Sequence, residues 1–292
     1  MPITARKLHP LFVAEVTGVA LDRPLGDADV GELTAAIDRD AALLFPGAPL
    51  TEAQQVAFST RFGPIAGVNN VLQTGIKRRV SPQLVDISNL DENGEVLDRN
   101  DRRRMFALGN QLWHTDSSFK RIPAKYSLLH AHSVTPEGGE TQICDMRAAH
   151  DALPARMKER IADLVAEHSI FHSRSKLGFT DFSADERAAL PPVQHPVVRV
   201  HPGSGRKALY LASHASHIVG WPVPDGRMLI ADLIEHATQP RFVFTHTWRV
   251  GDLLMWDNRC TMHRGRPYDE ARHRRDMRRA TLDDEAAARA HQ

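Results

Sequence analysis

The first residues able to do chemistry are His114-Thr115-Asp116. On an extended segment, positions i and i+2 point to one side, so the imidazole and the carboxylate converge. Alone the pair is weak, because a histidine hydrogen-bonded to a nearby aspartate accounts for it equally well. A third donor changes its meaning. Far downstream, GDLLMWDNRCTMHR sets His263 just after the apolar stretch Leu253–Trp256 and its turn. Two imidazoles and one carboxylate on one side of a metal leave three coordination positions open, the facial arrangement of non-haem Fe(II) oxygenases. A structural zinc site needs four closed ligands, usually with sulfur, and Cys260 beside His263 reads as a small apolar residue. Further on, RRDMRRAT carries Arg275 and, four residues later, Arg279. On a strand these share a face. An arginine cluster alone reads as a solvated face or a phosphate patch. Beside an iron site, two inward guanidiniums imply two carboxylates to be held, since the fork matches a carboxylate bidentately.

The elements that must position these groups are mostly short strands. QLWHTDSSF, KYSLLHAHSV, VVRVHP, KALYLAS, FVFTHTW and GDLLMWDN alternate in character and are separated by Pro/Gly/Ser turns such as Pro136–Glu140 and Pro202–Gly205. The pattern predicts a mainly β fold with helical insertions (α+β), two packed sheets forming a sandwich or jelly roll. Before them, Val13–Leu21 alternates like a strand, Ala28–Arg39 has helical spacing, and Ala42–Phe45 is a buried strand. Thr51 caps a helix, with Gln54 three residues on, that stops at Gly63-Pro64. Residues 66–110 read as loop broken by Leu84–Leu90, with Asp98–Met105 a solvated loop or a lid over a site. Helices are expected over Ala149–Glu167 and Asp225–Thr238, and a flexible tail over 283–292. With no repeat and no linker visible, residues 1–292 read as one domain with a helical insertion around 149–190.

Composition narrows the classes. The chain is 42% hydrophobic and 25% charged, which excludes disordered and fibrous proteins. Thirty-seven basic residues against 36 acidic ones leave a net charge of +1, no basis for a dedicated nucleic-acid binder. Two cysteines with no CxxC pair exclude a disulfide framework. The start MPITARKLHP lacks a signal-peptide core, and no apolar run approaches the roughly 18 residues of a membrane span. The expectation is a cytoplasmic protein.

In its ordered segments the chain resembles the taurine dioxygenase-like branch of the Fe(II)/2-oxoglutarate-dependent oxygenases, and within it the 2,4-dichlorophenoxyacetate (aryloxyalkanoate) dioxygenases. The likeness covers nearly the whole chain, through LLFPGAPLTEAQQVAFSTRFGPI, NQLWHTDSSF, GGETQICDMRAAHDALP, HPGSGRKALYLASHASH, DGRMLIADLIEHATQ and VGDLLMWDNRCTMHRGRPYD. It implies a double-stranded β-helix in which His114, Asp116 and His263 hold Fe(II), with 2-oxoglutarate and O2 as co-substrates. Arg275 would pair with the distal carboxylate of 2-oxoglutarate, assisted by Thr141, which otherwise reads as a strand-start residue. The separation from His263 to Arg275 is one residue longer than the family leads one to expect, so Arg274 stays as the alternative. Arg279 would hold the anionic group of a small organic substrate. His214, His217 and Asn110 would line its pocket, although either histidine also reads as an ordinary core or surface residue. The implied reaction hydroxylates the carbon beside an aryloxyacetate's carboxylate, giving phenol and glyoxylate together with succinate and CO2. The same chemistry on a sulfonate or alkyl sulfate, a non-catalytic binding module, and a zinc hydrolase are the alternatives. The resemblance also implies a homo-oligomer, with no membrane partner.

Overall fold

The computed structural model describes residues 2–67 and 77–286. The amino-terminal part runs β1 (Thr4–Lys7), β2 (Ala14–Thr17), α1 (Asp27–Asp40), β3 (Ala42–Phe45) and α2 (Glu52–Thr60). There follow β4 (Val85–Asp86), α3 (Arg102–Ala107), β5 (Ala124–Ser133), β6 (Thr141–Asp145), α4 (Met146–Asp151), α5 (Ala155–Ile161), β7 (Val165–His168), α6 (Ile170–Ser175) and α7 (Ala184–Ala189). The rest comprises β8 (Val193–Pro196), β9 (Val198–Val200), β10 (Lys207–Leu209), β11 (Ala215–Ile218), α8 (Val223–Ala237), β12 (Val243–His246), β13 (Leu253–Asp257), β14 (Thr261–Gly265) and β15 (Asp276–Asp283). Strands and α-helices hold about equal shares of the described residues, so the architecture is mixed sheets with helices between them, less β-rich than the alternation of the sequence predicts.

Seven strands form one sheet in the order β1-β2-β3-β13-β5-β15-β4, and three more form β12-β6-β14. β11-β7-β8 and β10-β9 are smaller sheets. The large sheet is buried on both faces at its centre, and the period of two along each strand decides what each face meets. On β13, Leu253 and Met255 join the cluster of Leu33, Ile37 and Phe58 from α1 and α2. Leu254 and Trp256 point the other way, among Ile143, Cys144 and Met262 of the three-stranded sheet. β5 repeats the division, with Tyr126 and Leu128 outward and Leu129 and Ala131 inward. The inward face is the one that carries the site.

Local chemistry explains where the elements start and stop. Thr51 Oγ1 accepts from the Gln54 amide at 3.3 Å while Gln54 Oε1 accepts from the Thr51 amide at 2.8 Å, the reciprocal cap read from the sequence. Such caps contribute about 1 kcal/mol. β2 is shorter than the expected Val13–Leu21 strand because Gly18, at φ +83°, turns the chain where a side chain would collide with Pro2.

Three expectations need correction. The single helix over Ala149–Glu167 is broken: Pro154 cannot continue the ladder and instead starts α5, and Val165–His168 pairs as a strand with β8 and β11. Asp98–Met105 is not all loop, since Asp101 accepts from the Arg103 amide at 2.8 Å and caps α3. Of the tail 283–292, Asp283 closes β15 and Asp284 is buried, while 287–292 lie outside the described residues. The span 149–190 holds α5, α6 and α7 around β7. No helix among the described residues is long and apolar enough to cross a membrane.

Candidate metal centre and its two cavities

His114 lies in no named strand. A single antiparallel bridge holds it to His263 of β14, the two backbones exchanging N–H···O bonds of 3.0 and 2.8 Å. The chain then turns at Ser117, at φ +55°, after delivering Asp116 to the same side. The inward face of β14 contributes the His263 ring, whose centroid lies 4.2 Å from that of His114. His114 Nε2 is 3.7 Å from Asp116 Oδ1, and His263 Nε2 is 3.6 Å from Asp116 Oδ2. One donor atom from each of the three lies within 4.8 Å of the others, and all three residues are buried.

The surroundings tune these donors for a cation. His114 Nδ1 sits 2.7 Å from the Leu112 carbonyl, so the proton belongs on Nδ1 and Nε2 turns its lone pair inward. Ser127 donates to Asp116 Oδ2 at 2.7 Å and accepts from Asn258 at 2.9 Å. Asn258 in turn accepts from the Asp116 amide and the Trp256 indole. Burial pushes the Asp116 carboxyl up, but the Arg279 guanidinium, both imidazoles and the Ser127 hydroxyl outweigh it and hold it at about 2. Burial keeps His114 and His263 below the ordinary histidine range. An ionised carboxylate beside two neutral imidazoles is the protonation state a divalent metal requires. With only three donors and open space beside them, the set fits a facial, reactive centre better than a closed structural one. Among the described residues one other set of this kind exists, His201, Asp257 and Cys260. There His201 bonds Asp257 and Ser204, Arg259 caps Asp257, and burial holds the Cys260 thiol well above its ordinary range. That set is a satisfied core network.

Two cavities meet at the triad. The smaller, about 110 Å³, is lined by His263, Thr141, Leu129, Trp256, Arg275 and Arg279. The larger, about 260 Å³, contains His114, Asp116, His214 and Arg279, with Phe106, Phe119 and Ile170 as apolar walls. Asn110 and Arg279 line both. Arg275 is 8% exposed and donates to the Gly139 carbonyl at 3.2 Å. No carboxylate pairs with it among the described residues, and burial lowers its pKa. Arg274 turns outward instead, to Glu95 at 2.6 Å. Thr141 opens β6, and its hydroxyl accepts from the Trp248 indole at 3.0 Å. Arg279 places Nη1 2.7 Å from Asp116 Oδ1, while its Nε is buried without a hydrogen-bond partner among the described residues.

His217 is the exception among the expected site residues. A register shift in β11 between Ala215 and His217 separates it from His214, and it lines neither cavity. Its ring bonds Ser216 at 2.9 Å and lies near Glu167. His214 stays at the wall, its Nδ1 2.9 Å from Ser173 Oγ. Sequence reasoning missed Trp248, in the connection between β12 and β13, and Arg174, on α6 in the wall of the larger cavity. Arg79 clamps Asp86 of β4 and Asp276 of β15.

Comparison with known proteins agrees with this geometry. The model of the "Taurine catabolism dioxygenase TauD, TfdA family" matches residues 4–281. The α-ketoglutarate-dependent 2,4-dichlorophenoxyacetate dioxygenase of Cupriavidus pinatubonensis is 49% identical over 286 residues, 98% of this chain and 99% of the relative. The (S)-phenoxypropionate/α-ketoglutarate dioxygenase of Sphingobium herbicidovorans is 36% identical, covering 90% and 88%. Among solved structures, AAD-2 in complex with Mn(II) and N-oxalylglycine superposes with a TM-score of 0.90 at 47% identity over 97% of each chain. With its buried two-histidine, one-aspartate centre and near-complete alignment to these relatives, the chain belongs to the TauD/TfdA dioxygenase family.

Proposed function

We propose that this protein is an Fe(II)- and 2-oxoglutarate-dependent dioxygenase that hydroxylates the carbon next to the carboxylate of an aryloxyacetate-type acid. The reading takes residues 1–292 as one oxygenase domain whose two inward sheets form a double-stranded β-helix. The observation that carries it is the junction of the two cavities at His114, Asp116 and His263, with the buried Arg275, which forms no ion pair among the described residues, in the smaller one.

His114, Asp116 and His263 would hold the iron. Bound Fe(II) supplies the redox chemistry that couples oxidative decarboxylation of 2-oxoglutarate by O2 to substrate hydroxylation. Arg275 pairs with the distal carboxylate of 2-oxoglutarate, and Thr141, already accepting from Trp248, has its O–H free to donate to the same group. Ser127 and Arg279 keep the Asp116 carboxylate ionised and fixed in orientation. The apolar walls Phe106, Phe119 and Ile170 suit an aryl ring and exclude water. Arg279 and Asn110, at the junction, orient the acid so that its α-carbon faces the centre. Hydroxylation there creates a hemiacetal, which collapses to the phenol and glyoxylate; O2 and 2-oxoglutarate are consumed with release of succinate and CO2. The relatives and the mixed cation and apolar lining also support a small anionic organic substrate over any macromolecular one. A homo-oligomeric state rests on the family resemblance.

The test is succinate formation by the purified protein with Fe(II), 2-oxoglutarate and O2, run in parallel with 2,4-dichlorophenoxyacetate and taurine, with phenol release as product check. Succinate and phenol with the aryloxy acid alone is the expected result. Succinate with taurine instead keeps the reaction and overturns the substrate class. Asp116→Ala is expected to abolish turnover, and unchanged turnover refutes the ligand assignment.

A further inference from the structure

Three arginines are buried among the described residues: Arg147, Arg174 and Arg275. Arg147 lies on Asp145 at 3.1 Å. Arg275 faces the smaller cavity, where 2-oxoglutarate is proposed to bind. Arg174 is the remaining one. It is 5% exposed and lines the larger cavity. Its Nη1 donates to Ser173 Oγ at 3.2 Å, and its Nε is buried without a hydrogen-bond partner among the described residues. Burial alone acts on its ionisation, pulling the pKa down to about 10, so the group stays cationic at neutral pH. The residues left undescribed, 1, 68–76 and 287–292, contain no aspartate or glutamate that could neutralise it. An uncompensated buried charge is costly unless a partner of opposite sign arrives.

The guanidinium is also held in place. It lies 4.1 Å over the Phe106 ring and packs so closely under Gly109 that any side chain there would collide with it. Ser173 Oγ joins it to His214 Nδ1, and the His214 ring stands 4.9 Å from Phe119 and 6.2 Å from His114. Arg174, His214, Phe106 and Phe119 therefore make one continuous wall beside the triad, combining an aromatic surface with a rigid cation. Arg279 lines the same cavity and gives Nη1 to Asp116, which leaves the rest of its guanidinium to the acid.

We propose that Arg174 is a second anchor, in addition to Arg279, for the anionic end of the primary substrate, and that it strengthens the preference of the larger cavity for acids over neutral analogues. The inference rests on the function proposed above and names a specificity residue for it. Preorganisation by Phe106 and Gly109 means that little conformational freedom is lost when the carboxylate arrives.

The experiment is equilibrium binding of 2,4-dichlorophenoxyacetate and of its neutral amide, 2-(2,4-dichlorophenoxy)acetamide, to the full chain loaded with Mn(II) and 2-oxoglutarate without O2. Wild type, Arg174→Met and Arg174→Lys are compared, with folding checked by circular dichroism. Arg174→Met is expected to weaken the acid about 10- to 100-fold, the loss of a charge-assisted pair, and to leave the amide within about twofold. Arg174→Lys, which keeps the charge, is expected to restore part of the affinity for the acid and serves alone if the methionine variant does not fold. Unchanged acid binding overturns the proposal. So does an equal loss for acid and amide, which would make Arg174 a brace for Phe106 and α3. If the wild type turns over the acid while the variants bind it normally, the function stands and only this inference falls. A wild type that binds no aryloxy acid and makes no succinate with it removes the proposed substrate, and this inference with it.

Discussion

Replacing Arg275 by methionine is expected to move stability and co-substrate binding in opposite directions. The guanidinium is buried, donates to Gly139 O at 3.2 Å and more weakly to Ile87 O at 3.5 Å, and forms no ion pair among the described residues, so that burial outweighs the distant pull of Glu270. Methionine retains most of the aliphatic stem. Removing an uncompensated buried charge favours folding by about 1–4 kcal/mol, whereas losing one good and one stretched hydrogen bond costs about 1–2 kcal/mol. At the middle of these ranges the ligand-free variant is about 1 kcal/mol more stable than wild type, and the extremes run from about 1 kcal/mol less stable to about 3 kcal/mol more. Each kcal/mol corresponds to roughly 2–4 °C in Tm for a domain of about this size. At a 2-oxoglutarate concentration 100 times its Kd, the wild type gains about 2.7 kcal/mol. Truncating one partner of a buried charged pair weakens binding by at least about two orders of magnitude, which cuts that gain to about 0.4 kcal/mol. Calorimetric melting with Mn(II), with and without 2-oxoglutarate, reads both quantities. A variant that melts several degrees lower without ligand yet keeps the full ligand-induced shift would refute the reasoning and make Arg275 a structural residue.

Three other changes have defined outcomes. Ser127→Ala removes the hydroxyl that donates to Asp116 and accepts from Asn258, and should weaken metal binding about 10- to 100-fold; a metal titration showing an unchanged Kd counts against the role given to that network. Burial pushes the Asp276 carboxyl up, but the Arg79 and Arg278 guanidiniums more than reverse this and hold it at about 2. Because the folded value lies below the unfolded one, the stabilisation is complete above about pH 4 and is lost as the pH falls towards 2. Asp276→Asn should then lower stability by about 2 kcal/mol at pH 6 and by little at pH 2, and urea denaturation across that range that shows equal losses would dismiss the ion-pair account. His217→Gln should leave KM for the aryloxy acid within about twofold, whereas His214→Gln, at the cavity wall, should raise it by more; steady-state kinetics showing the reverse order would overturn the placement of the two rings.

Much of the centre is legible in the sequence. The i, i+2 spacing of His114 and Asp116, the apolar strand leading to His263 and the i, i+4 spacing of Arg275 and Arg279 are local facts about types and periods. Backbone geometry makes such groups share a face, and the Thr51–Gln54 cap was readable for the same reason. Local rules reached less far where the next partner lies across the fold. Arg274 and Arg275 are adjacent and chemically identical, and only the pairing of β15 with β5 turns one to Glu95 and the other into a cavity. The helical pattern over Ala149–Glu167 gave way to β7 because sheet partners from β8 and β11 were available there.

What the sequence determined by itself was the inventory: three metal donors, the arginines, and the strands able to carry them. Tertiary structure decided which charges are neutralised. Arg147 meets Asp145, Arg79 meets Asp276 some two hundred residues away, Arg275 forms no ion pair among the described residues although Glu270 lines the same cavity, and Arg174 meets no acid among them. The energy of a buried guanidinium depends on what stands within a few ångströms of it, and that is set by the packing of distant strands and helices rather than by chain neighbours.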